Sequence, residues 1–129
     1  MREPQMINWA GGENPFLLRI GEMLALEKAC GTGIGAIFGR VSLSLAGGSQ
    51  WHVADITETL RLGLIGGGAS REDAQRLVAT TVDRAGLMDL VPVAATVLLI
   101  SLQGENEDQD DDPPPAADDQ KKKETPPPD

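Results

Sequence analysis

The sequence predicts a mainly α fold, a compact domain of about five helices with a short N-terminal β-hairpin and a disordered acidic C-terminal tail. Three observations predict it. Apolar residues recur at helical spacing in five successive segments, glycine clusters separate several of those segments, and the composition changes abruptly near residue 105. Residues 1–104 carry 8 Lys+Arg against 10 Asp+Glu, whereas residues 105–129 carry 3 Lys against 10 Asp+Glu, so −7 of the total charge of −9 lies in the last stretch. That stretch also holds six of the nine prolines, and its only apolar side chains are Ala116 and Ala117. It cannot bury enough surface to offset its ordering entropy, so the expected division is a folding unit at 1–104 and a solvated tail at 105–129.

The hairpin is expected within residues 5–19, with Met6–Trp9 and Pro15–Arg19 as strands around the turn-forming stretch Ala10–Asn14. Ile20–Cys30 follows with helical periodicity, placing Ile20, Met23, Leu24, Leu26 and Cys30 on one arc. Glu27 falls within that arc, and the ordinary reading is that its carboxylate meets backbone N–H groups of the Gly31–Gly35 turn. A second helix carries Ile34, Ile37, Phe38, Val41 and Leu45 as a stripe and stops at Gly47-Gly48. The third runs from Val53 to about Ile65. Val53, Ile56, Leu60 and Leu64 make one face, and Leu62 and Ile65 lie nearly opposite, so the helix either sits between two layers or offers one side to a partner. Ser70 is placed to cap a fourth helix, whose core face is Ala74, Leu77, Val78, Thr81, Val82 and Ala85. Asp89 is expected to cap a last helix reaching about Gln103, with Pro92 in its first turn; being apolar nearly all round, that helix is expected to be central.

The same residues exclude most chemistry. Gly31-x-Gly33-x-Gly35 follows a helix and lacks the third glycine of a dinucleotide loop, and Gly66-Gly67-Gly68 has no Gly-Lys-Ser/Thr after it, so both clusters read as helix terminators. One cysteine and one histidine permit a Cys30/His52 dyad on paper. Cys30, however, sits on an apolar stripe, and His52 reads as a surface or helix-capping residue. The scattered carboxylates have no metal-ligand spacing, so neither a cofactor nor a metal is expected. A nearly neutral folding unit with an acidic tail is a poor nucleic-acid partner. The most apolar run, Leu90–Leu102, is short of the roughly 20 residues a bilayer demands. A non-enzymatic, soluble, cytoplasmic protein is the expectation.

Two longer strings carry a resemblance. Trp9-Ala10-Gly11-Gly12-Glu13 with Phe16–Glu22 and Leu24–Glu27, and Asp55–Gly68 followed by Glu72-x-Ala74-x-x-Leu77-Val78 and Val82-Asp83, resemble the small tail assembly proteins of gene transfer agents and related phages with long non-contractile tails. The similarity spans about residues 6–104, and Leu60–Gly68 is its most specific part. It implies a tail assembly chaperone that coats the tape-measure protein in the cytoplasm of the producing cell. The family also carries the label of tail tube protein, so a structural component retained in the particle is the alternative. The implied partners are the tape-measure protein, further copies of the chain and other tail proteins, without nucleic acid or membrane. The surface expected to bind them is the second apolar side of the third helix, Leu62 and Ile65 flanked by Glu58 and Arg61. In the tail, the run Lys121–Lys123 reads either as an ordinary basic spot or as the product of a slippery adenine run of the kind that makes a longer frameshifted form.

Overall fold

The structure, a computed structural model, describes residues 2–48 and 50–104. The acidic tail and its lysine run lie outside the described residues. Two strands open the chain, β1 (Gln5–Trp9) and β2 (Gly12–Phe16), paired antiparallel with Trp9 opposite Gly12 and Gln5 opposite Phe16. The hairpin loop is therefore only Ala10-Gly11, and Glu13 and Asn14, expected in the turn, belong to the second strand. The reason lies in the pairing: Trp9 Nε1 donates to Asn14 Oδ1 across the hairpin at 2.8 Å, and Gly12 takes φ +118°, a left-handed conformation that glycine adopts without steric penalty. Trp9 and Phe16 stack edge to face with ring centroids 5.4 Å apart, which pins the hairpin to the helices beneath.

Among the described residues five helices follow: α1 (Ile20–Cys30), α2 (Ile34–Leu45), α3 (Val53–Gly66), α4 (Arg71–Ala85) and α5 (Val91–Leu102). A short 3₁₀ turn, Met88–Leu90, precedes α5. Their ends match the local chemistry. Gly31 closes α1 in the left-handed region at φ +70°, and its N–H donates to Glu27 O. Glu27 does what the sequence suggests: its Oε2 accepts the Ile34 N–H at 2.8 Å and so satisfies a free donor in the first turn of α2. Ser70 Oγ accepts the Asp73 N–H at 3.1 Å at the start of α4. Asp89, by contrast, caps nothing. It lies in the 3₁₀ turn, and the residue at the α5 cap is Leu90, with Pro92 in the first turn as expected.

The helix at the centre is α3, not α5. It packs against β2, α1, α2, α4 and α5, whereas α5 leaves Leu99 and Leu102 exposed. At 100° per residue the buried residues of α3 run from Leu62 through Asp55, Thr59, Gly63 and Ile56 to Leu60 and Leu64, an arc of about 200°. Such an arc is what a helix held between two layers requires. The near-uniform apolarity of α5 misled because periodicity carries little direction when nearly every position is apolar. In α1 the buried side is Leu26 with Met23 and Cys30 half-buried, while Ile20 and Leu24, expected in the core, point outward at 71% and 60% exposure.

The glycine cluster after α3 does more than stop a helix. Gly66 and Gly67 have ordinary dihedrals, but a Cβ on Gly66 would lie 1.9 Å from the Leu17 carbonyl oxygen, and one on Gly67 would lie 2.0 Å from that of Pro15. The backbone of the β2–α1 junction rests directly on the end of α3. Leu17 N–H donates to Gly63 O at 3.0 Å, and a Cβ on Gly63 would meet the Phe16 ring and Val97 at 3.0 Å each. The two strings that carry the family resemblance are thus clamped to each other.

Candidate functional site

The four residues expected to bind a partner separate in the structure. Leu62 is 5% exposed and part of the main core cluster, so it is not available at the surface of the folded chain; the reading of α3 as a helix with a free second face is corrected to that of a helix enclosed on both sides. Ile65 is half-buried and packed against the same core. Glu58 and Arg61 lie on the outward strip of α3 beside Ile65 and are occupied with each other: Arg61 Nε donates to Glu58 Oε1 at 3.2 Å, and Arg61 Nη2 pairs with the same carboxylate. One turn of helix satisfies both charges, which is the ordinary behaviour of an i,i+3 pair.

A second polar group, which sequence reasoning did not find, joins α1, α2 and α3. Asp55, 0% exposed, receives a two-pronged contact from Arg40, with Nε to Oδ2 at 2.9 Å and Nη2 to Oδ1 at 2.7 Å. Its Oδ2 also accepts the His52 N–H at 2.8 Å, so the same carboxylate satisfies the α3 cap and anchors α2. Burial alone would raise the Asp55 carboxyl, but the Arg40 hydrogen bonds, the His52 N–H and the Arg40 charge outweigh it and hold the group below the usual carboxylate range. The Cys30 thiol next to it is pushed up to about 11, first by burial and then by the Asp55 charge and hydrogen bond. A nucleophilic cysteine requires the opposite shift, and His52, at the α3 cap, does not bond the thiol or the carboxylate through its ring. The only sequence signal for the group was an aspartate three residues after a cap position; nothing local points to Arg40, 15 residues away.

Arg2 lies against the end of α5. Arg2 donates through its guanidinium to the carbonyl oxygens of Ile100 and Ser101, which lack partners within the last turn of α5. Ser101 Oγ accepts the Leu18 N–H at 2.9 Å, and Arg19 donates back to Arg2 O at 3.2 Å. These contacts seat Arg2 and Arg19 at the end of α5. Among the described residues no group of three or more His, Cys, Asp or Glu converges on a metal-sized site, and no helix is long and apolar enough to cross a membrane.

The outward sides of the helices differ in kind. On α4, six of the nine exposed positions are charged (Arg71, Glu72, Asp73, Arg76, Asp83 and Arg84). From Ile20 to Ala46, fourteen positions are exposed and Lys28 is the only charged one; the other thirteen are Gly, Ala, Ile or Leu. On α2, Leu43 is exposed on the side that also carries Ala36 and Gly39, and Leu45, about 200° round the helix from Leu43, is exposed at its end. Burying none of these within the chain leaves an apolar surface of the kind that marks a protein contact.

The fold and these surfaces define a small helical domain that presents apolar helix faces. The chain belongs to the family described as phage tail tube protein, GTA-gp10, whose model matches residues 4–104, all but a few of the described positions. The resemblance read from Trp9–Glu27 and Asp55–Asp83 is to the same phage and gene transfer agent tail proteins. No curated protein and no solved structure matches the chain.

Proposed function

We propose that the protein is a non-enzymatic structural component of a phage or gene transfer agent tail, made in the cytoplasm of the producing cell and retained in the finished particle. The observation that carries this reading is the family match along the whole folded region, under a description that names the tail tube. The chemistry of the domain supports it: its one thiol is held protonated, its buried carboxylate is held by an arginine, and its unusual surface is apolar rather than reactive. A structural part functions through contacts with neighbouring subunits, and the exposed apolar sides of α1 and α2 supply them.

A second reading, a tail assembly chaperone for the tape-measure protein, draws support from the same apolar surface, which would receive an amphipathic helix of that client. It no longer draws on Leu62, which lies in the core. Quantitative mass spectrometry of purified particles separates the two. A structural component persists in particles at a fixed ratio to other tail proteins. Abundance in the lysate together with absence from particles overturns the structural reading and leaves the chaperone.

A further inference from the structure

We infer that the outer edge of β1 pairs antiparallel with the same edge of a second copy of this chain, joining two hairpins into one four-stranded sheet centred on Ile7. The pairing of β1 with β2 fixes which backbone groups are occupied. A loop of only Ala10-Gly11 makes Trp9 and Gly12 the first hydrogen-bonded pair, and alternation then bonds Ile7 to Asn14 and Gln5 to Phe16. Pro15, which has no N–H, falls opposite Met6, where none is needed. The N–H and C=O groups of Met6 and Asn8 therefore point away from β2, and among the described residues they have no hydrogen-bond partner. Gln5, Met6 and Asn8 are exposed, Met6 at 63%, so the edge is open to solvent. Between Gln5 and Trp9 it carries no charge, proline or bulge, the features by which edge strands turn partners away.

The partner such an edge takes is another extended strand. Among the described residues the chain has two strand edges, and that of β2 is closed: Pro15 has no N–H, and its carbonyl oxygen lies against the end of α3, 2.0 Å from where a Cβ on Gly67 would stand. A head-to-tail contact would use both edges, so between copies β1 on β1 remains, a two-fold contact. The register follows from the same backbone groups. Centred on Met6, the pairing would set Asn8 against Pro4, which has no N–H to give. Centred on Asn8, it would set Met6 against Ala10, whose carbonyl oxygen already accepts from Arg84 Nη2. Centred on Ile7, Met6 of each copy exchanges two hydrogen bonds with Asn8 of the other, and every outward group of both residues is satisfied. The edge is thus complementary to itself. Ile7, half-buried against the core, meets its counterpart in the closer, non-hydrogen-bonded kind of pair and adds a branched side-chain contact on the core side of the sheet.

Five residues at about 3.4 Å each span about 17 Å, so the contact is short and its affinity weak. Nitrogen-15 NMR of the full chain from about 20 μM to about 1 mM covers that range and reads each backbone amide separately. Salt at about 0.5 M screens the repulsion between two chains of net charge −9. The expected result is a monomer–dimer equilibrium in which the Met6 and Asn8 amides shift with concentration and their hydrogen exchange slows. Asn8→Pro removes an N–H that makes no bond within the chain, and is expected to weaken the dimer about tenfold or more. Ala79→Lys, on the exposed side of α4, is expected to leave it unchanged. Should Asn8→Pro lower the thermal midpoint, Met6→Lys sets a charge on the same edge at an exposed position and provides the same test. A chain that stays monomeric throughout, a dimer whose Met6 and Asn8 amides stay unprotected, or one indifferent to both substitutions overturns the proposal. Self-association is read on the purified chain, so its failure is distinct from absence of the protein from particles.

Discussion

Replacing Gly66 by alanine adds one methyl group where the backbone of another segment already stands. The new Cβ would lie 1.9 Å from Leu17 O and 3.1 Å from its carbon, while ordinary contact begins at about 3.4 Å. Relief requires the β2–α1 junction to withdraw by about 1.5 Å from the end of α3. Phe16, Leu17 and Leu18 are all fully buried there, and Leu17 N–H would lose its 3.0 Å bond to Gly63 O. Overpacking of this kind costs about 1–3 kcal/mol. The lost hydrogen bond adds about 1 kcal/mol. The combined effect of about 2–4 kcal/mol corresponds to a fall of roughly 10–25 °C in Tm for a domain of about a hundred residues. Thermal unfolding followed by circular dichroism measures it directly. The helical dihedrals of Gly66 suit alanine, and alanine is the better helix former, so backbone propensity alone predicts the opposite sign. A Gly66→Ala protein that melts within 2 °C of the parent, or above it, refutes the close-approach argument.

Three further outcomes follow from named contacts. Gly39→Ala, in the exposed side of α2 with nothing within 4 Å of the added Cβ, is expected to raise stability by about 0.5–1 kcal/mol, measured by urea denaturation. Leu62→Asp places a carboxylate in the core and is expected to unfold the domain, whereas Ile65→Asp, on the half-buried strip, is expected to retain the fold with reduced stability; proteolysis and circular dichroism distinguish them. Because the Asp55 carboxyl lies lower folded than its ordinary 3.8, its contribution is complete above that value and disappears as pH falls through the folded value; urea titrations from pH 6 to pH 2.5 are expected to show this loss in the parent and a flatter acid limb in Asp55→Asn.

The sequence alone determined the number, order and approximate bounds of the five helices, the inward face of α4, the Glu27 contact on the second helix and the kinship with phage tail proteins. These are local properties: periodicity over one helix, a cap within a few residues, a string of identities. Tertiary structure alone decided that α3 rather than α5 is enclosed, that Leu62 turns into the core while Ile20 and Leu24 turn out, and that Arg40 reaches across from α2 to Asp55. It also decided why Gly66 and Gly67 are glycines, since in sequence a helix stop and a site of backbone approach look the same. The physical reason is common to all four. Helical spacing says which residues share a face, but which face is buried depends on the positions of other elements, and those are fixed by the summed packing of segments far apart in the chain.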